Sequence, residues 1–187
     1  MKKIILIIIL ILAIFQMVVM ATAIDIGSAA VTGDDYWGSG NTWVSQVNSA
    51  NATGKITSVE IYAQAEMANC EVATFYVVSG NNLSTRDYEK VNNGNGAGVV
   101  LAGSKQTFVV DLDVVAGDYI GIRSDVGGNF YSNGTSPNMW RALGDNIPCT
   151  DTAFVTTYSA TPSIYGTGAT PEAPAATDNA IMMGINF

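Results

Sequence analysis

The sequence predicts an all-β protein: an antiparallel β-sandwich, jelly-roll-like, behind an N-terminal signal peptide. Three observations carry this expectation. Beyond residue 23, hydrophobic residues recur with a period of two, and no segment shows a helical stripe. Turn signals rich in Gly, Asn and Asp separate the alternating stretches. The first 23 residues follow the order of an export signal, with a positive start, an apolar run and small residues at the end.

Lys2 and Lys3 supply the positive start, and residues 4–20 are apolar apart from Gln16. Ala21-Thr22-Ala23 then matches the small-x-small site of signal peptidase. An apolar run of this length also approaches what a membrane-spanning helix needs. Cleavage with release is the first expectation, and an uncleaved anchor tethering the same domain at the cell surface is the alternative. No second apolar stretch of spanning length follows, so no membrane insertion is expected after cleavage.

The remaining chain, residues 24–187, suits one domain. Val59, Ile61 and Ala63 alternate with Glu60 and Tyr62. Phe108, Val110, Leu112 and Val114 form a second alternating set, and Ile120 and Ile122 a third. Each reads as a strand with one buried face. Residues 70–78 (CEVATFYVV) are continuously β-branched and aromatic, as a central strand requires. Many short strands at this spacing build a sandwich or a barrel. Residues 92–98 (NNGNGAG) read as a polar loop, and residues 169–187 as a Pro/Ala-rich connection followed by a C-terminal strand, AIMMGINF. That strand is expected to pair with the N-terminal strand within residues 24–31, or else with a neighbouring subunit.

Composition excludes several functions. Without Lys2 and Lys3, six basic residues stand against 16 acidic ones, a net charge of −10. Nucleic acid, whose phosphates demand Lys and Arg, is not an expected partner. The chain has no histidine, which removes Ser-His-Asp and Cys-His machinery and histidine-based zinc sites. Cys70 and Cys149, an even pair in an exported chain, read as a disulfide, with two free thiols as the alternative.

Several segments together are familiar: residues 54–62 (GKITSVEIY), 72–91, 102–108 (AGSKQTF), 114–122 (VVAGDYIGI), 144–150 (GDNIPCT) and 163–168 (SIYGTG). Over residues 24–168 the chain resembles secreted jelly-roll-like β-sandwich domains found in environmental, bacterial and phage sequences. It is more loosely similar to lectin-like jelly rolls. The first resemblance implies a fold and no catalytic residues; the second implies glycan binding.

Candidate chemistry follows from the aromatics. Tyr36 and Trp37 sit in a polar stretch (GDDYWGSG), as ligand-binding loop residues do. Asp34, Asp35, Asn41 and Arg141 can hydrogen-bond sugar hydroxyls beside such rings. Trp43 and Trp140 read as core residues, since large aromatics dominate small cores.

Asp111, Asp113 and Asp118 fail the EF-hand pattern, which has Val115 and Ala116 where a ligand and glycine belong, so no metal site is assigned. The NGNGAG stretch lacks the third glycine and the helix of a dinucleotide fingerprint. Three N-x-S/T sequons, at Asn51, Asn82 and Asn133, matter only in a glycosylating secretory pathway.

No constellation supports an enzyme, and no cofactor is expected. The expected function is a secreted or surface-exposed binding module, with a glycan or cell-surface polysaccharide as ligand. The alternative is a structural or adhesive subunit of an extracellular or virion-associated assembly, oligomerising through the C-terminal strand.

Overall fold

A computed structural model describes residues 21–38, 40–125, 127–133, 139–156 and 159–171. All but the last three residues of the signal segment lie outside this set, as does the C-terminal strand expected at residues 180–187. The described residues contain fourteen strands and no helix, so none is long and apolar enough to cross a membrane. Residues Thr22–Thr170 form one compact unit.

The strands, in chain order, begin with β1 (Ala23–Gly27), β2 (Asp35–Gly38), β3 (Thr42–Ser45), β4 (Gly54–Ala65) and β5 (Glu71–Ser79). Then come β6 (Asn82–Lys90), β7 (Lys105–Val114), β8 (Tyr119–Arg123), β9 (Asn129–Asn133) and β10 (Met139–Ala142). The last are β11 (Thr152–Ala153), β12 (Val155–Thr156), β13 (Thr161–Pro162) and β14 (Ile164–Ala169). Every pairing is antiparallel.

Eight of these strands wind a jelly roll. One sheet runs β1-β14-β4-β7 and the other β6-β5-β8-β3. Counted along the roll, the orders are first, eighth, third, sixth and fifth, fourth, seventh, second, which is the double Greek key of that architecture. The remaining strands enlarge it. Strands β9 to β13 form an insertion between the seventh and eighth roll strands, while β2 lies between the first and second. β9 pairs with β2 on one side and with β4 and β13 on the other. β11 pairs with β6 and β12 with β10, so residues 152–156 span the two margins of the second sheet and curl it toward a barrel.

The curl creates two cores. Between the sheets, Ile24, Ile56, Ile61, Phe108 and Leu112 meet Trp43, Val72 and Ile122. On the other face of the second sheet, Val44, Phe75, Leu83, Trp140 and Phe154 pack together. Successive residues serve opposite cores, as in Trp43/Val44 and Val72/Ala73, because side chains alternate along a strand. Gly121 on β8 lets Phe75 in; a Cβ there would stand 2.6 Å from the Phe75 ring. Trp43 and Trp140, 2% and 7% exposed, are core residues, as the sequence suggests.

The expected disulfide is absent. Cys70 and Cys149 are not bonded to each other. Cys70 ends the turn into β5, where its carbonyl accepts from the Val91 amide just beyond β6. Cys149 docks against Thr85 in β6, giving its carbonyl to the Thr85 amide and its own amide to the Thr85 hydroxyl. Residues 85 and 91 are six positions apart along that strand, about 20 Å at a strand's rise. A disulfide needs Cα atoms within about 7 Å. Burial of Cys70 also pushes its thiol pKa up, which keeps it protonated.

Among the described residues, the N-terminal strand has its partner in β14. β1 pairs with β14 along its whole length. On its other edge the Asn51 side chain imitates a strand: its Oδ1 accepts from the Asp25 amide (3.2 Å) and its Nδ2 donates to the Ala23 carbonyl (3.3 Å). The Gly27 amide donates to the carbonyl of Asn48, a residue in the left-handed region that asparagine tolerates. These bonds blunt an edge that would otherwise invite another strand.

The three aspartates grouped along the sequence separate in space. Asp111 and Asp113 are exposed on β7 and share Lys55, whose pKa they raise. Asp118 is 3% exposed and receives a bidentate bond from Arg86 together with the Val115 amide. Asp118 is buried and Arg86 part-exposed, so Asp118→Ala removes charged hydrogen bonds without burying a lone charge and should lower unfolding stability by about 2 kcal/mol. Asp111→Ala, at an exposed pair, should change it by less than about 1 kcal/mol. Urea denaturation of both variants measures the contrast.

Candidate binding face

Tyr36 and Trp37 lie on a strand, β2, and not in an irregular loop. The register sets Tyr36 opposite Tyr131 and Trp37 opposite Phe130. Alternation therefore sends the two candidate rings to opposite faces. Trp37 packs inward, its ring 5.4 Å from that of Trp43, and Phe130 meets Trp43 edge-on at 6.2 Å. Tyr36 points away from this core and is 53% exposed.

The other candidates divide the same way. Arg141 on β10 is register-paired with Trp43, and its guanidinium lies 5.7 Å from that ring. Asn41 is a tie within the fold. Its Nδ2 donates to the Gly38 carbonyl (3.4 Å) and its Oδ1 accepts from the Gly144 amide (3.3 Å). The indole of Trp43 donates to the same Gly38 carbonyl (3.2 Å), which fixes the turn that follows β2. Trp37, Asn41 and Arg141, each half-buried, are thus tied into the packing around Trp43. Asp34 and Asp35 are exposed beside Tyr36, and the Asp35 carboxylate accepts from the Tyr36 amide (2.8 Å). The structure does not gather the six residues into one site; it leaves Asp34, Asp35 and Tyr36 exposed to solvent, with Asp35 and Tyr36 alternating in direction along β2.

On the face of Tyr36 the structure adds residues that sequence reasoning did not connect. Tyr131 stands across from Tyr36, at the Cβ separation of about 5 Å that direct cross-strand neighbours have. Tyr62 on β4 meets Tyr131 edge-on, ring centroids 5.3 Å apart, and its hydroxyl donates to the Gly103 carbonyl (3.0 Å). Three tyrosines from β2, β9 and β4 therefore form one row, about 10 Å across at the usual strand spacing. Beyond it, Lys105 sits in register with Tyr62 and pairs with Glu60 (2.8 Å), and Tyr165 on β14 lies in register with Glu60. Partial burial, followed by the nearby charge of Asp25, raises the Tyr165 pKa, so its hydroxyl remains a hydrogen-bond donor. The alternation of residues 59–63 marks Tyr62 and Glu60 as outward-facing in the sequence alone; that Tyr36 and Tyr131 join them depends on long-range pairing.

Chemically, the face offers aromatic surface for apolar C–H groups, edged by carboxylates, an ammonium and phenols for hydroxyl groups. Two of the sequon asparagines already bond within the fold: Asn51 as the edge cap, and Asn82 through its Nδ2 to Asp151 (3.0 Å). No protein-family model matches the chain, and no curated protein matches it.

The division between packed and exposed rings is measurable by denaturation. Trp37→Ala opens a cavity against Trp43 and should cost about 3 kcal/mol. Tyr36→Ala removes a mostly exposed ring and should change stability by less than about 0.5 kcal/mol.

Proposed function

We propose that this domain is a non-catalytic, carbohydrate-binding module of an exported protein, acting in the medium or at the cell surface. The observation that carries the reading is the outward row of Tyr36, Tyr131 and Tyr62 on three adjoining strands. A pyranose has one face of C–H bonds and a rim of hydroxyls. A tyrosine row meets the first, and Glu60, Lys105 and Tyr165 meet the second. Rigid strands fix the spacing of the rings, so little ordering entropy opposes binding. The ordered pattern of residues 1–23 supports export, and the acidic chain supports a glycan over a nucleic acid as partner.

The second reading, an assembly subunit that adds a strand to its neighbour, needs an open sheet edge. On β1 the outward groups of Ala23, Asp25 and Gly27 are already bonded by Asn48 and Asn51. That bonding closes the β1 edge to an added strand.

Retention on a panel of insoluble polysaccharides tests the reading. The protein should be held by at least one of them. Tyr36→Ala and Tyr131→Ala should each weaken binding about tenfold, the factor for an aromatic contact of about 1.4 kcal/mol. Both variants should still melt cooperatively. Failure to bind every polysaccharide, or unchanged affinity in both variants, contradicts the proposal.

A further inference from the structure

The exposed loop between β6 and β7 contains two Asn-Gly steps, Asn93-Gly94 and Asn95-Gly96, which the structure treats differently. At the first step both reacting groups are engaged. The Gly94 amide donates to Asn92 Oδ1 (3.0 Å), Asn93 Nδ2 donates to Gln106 Oε1 (2.8 Å), and Asn93 Oδ1 accepts from the Asn95 amide (3.3 Å). At the second step neither the Asn95 carboxamide nor the Gly96 amide has a hydrogen-bond partner among the described residues. Residues 92–97 are all exposed, so water reaches both steps. Gly96, with no side chain on its α-carbon, leaves its nitrogen open to the preceding carboxamide.

We propose that Asn95 is a site of spontaneous covalent modification, converting to aspartate and isoaspartate ahead of Asn93. The Gly96 nitrogen gives its proton to solvent base and attacks Asn95 Cγ. A Cγ–N bond forms and the Cγ–Nδ2 bond breaks. The departing amide takes a proton and leaves as ammonia. Water then opens the five-membered imide at either carbonyl, giving aspartate from one and isoaspartate from the other. Each conversion adds one negative charge to the loop.

The fold tolerates the product because the loop is closed below the reacting step. The Gly98 amide donates to the Val91 carbonyl (2.6 Å), and the Gly98 carbonyl accepts from the Cys70 amide (2.8 Å). Gly98 itself must stay a glycine: its φ is +79°, and a Cβ would stand 2.7 Å from the Asn69 backbone. The chemistry is confined to residues above this closure.

The test is ageing of the full chain in mildly alkaline buffer, followed by trypsin digestion and tandem mass spectrometry. Residues 91–105 form one tryptic peptide that holds both steps. Asn95 should convert at least about fivefold faster than Asn93, the factor that breaking one hydrogen bond at Gly94 imposes. Asn92→Ala releases the Gly94 amide and should raise the Asn93 rate several-fold, while Gly96→Ala should slow Asn95. In chain unfolded by urea the two sites should convert at similar rates. The melting temperature of the converted protein should match that of the fresh protein. Equal rates in the folded chain, a faster Asn93, or no conversion at Asn95 while the unfolded chain converts would each overturn the proposal.

Discussion

The twelve residues of β4 hold the structure together, because both edges of this strand are occupied at once. β7 lies along one edge from Gly54 to Tyr62, and β14 and then β9 share the other. A strand buried on one face and paired on both edges has little freedom to slip, since a one-residue shift would exchange its two faces. Ile56, Val59, Ile61 and Ala63 therefore stay inside, and Glu60 and Tyr62 stay outside. The positions of Tyr62, Glu60, Lys105 and Tyr165 on the proposed binding face follow from that register, and pairing of β9 and β2 adds Tyr131 and Tyr36.

The insertion between β8 and β14 extends the same logic. It is too short to form a core of its own, so its pieces pair with what the roll leaves available. β9 continues the first sheet past the end of β14 and brings Tyr131 to the edge of Tyr62. β10 to β12 wrap the margin of the second sheet and cover Phe75 and Leu83, which would otherwise face water. One segment thus completes a second core and supplies the middle ring of the tyrosine row.

What the sequence makes legible is local. Alternation over residues 59–63, 108–114 and 119–123 identifies three strands and their buried faces, because pleat geometry needs no knowledge of partners. The all-β class and the jelly-roll expectation stand on the same pattern. Facts about pairing between distant segments are not legible. An even cysteine count suggests a bond, yet docking along β6 sets the two thiols far apart. Tyr36 and Trp37 look like one platform in a Gly/Asp-rich stretch, and pairing with β9 makes that stretch a strand with two faces. Asp118 looks like a member of an acidic group, and its buried bond to Arg86 depends on a residue 32 positions away.

A nitration footprint of the tyrosines, with and without the polysaccharide that retains the protein, tests the central claim most directly. Tyr88 is 46% exposed on β6 in the other sheet and provides an internal reference. Bound polysaccharide should protect Tyr36 and Tyr131 while Tyr88 reacts as before. Equal reaction of Tyr36 in the free and bound protein, or protection of Tyr88 in its place, would contradict that claim.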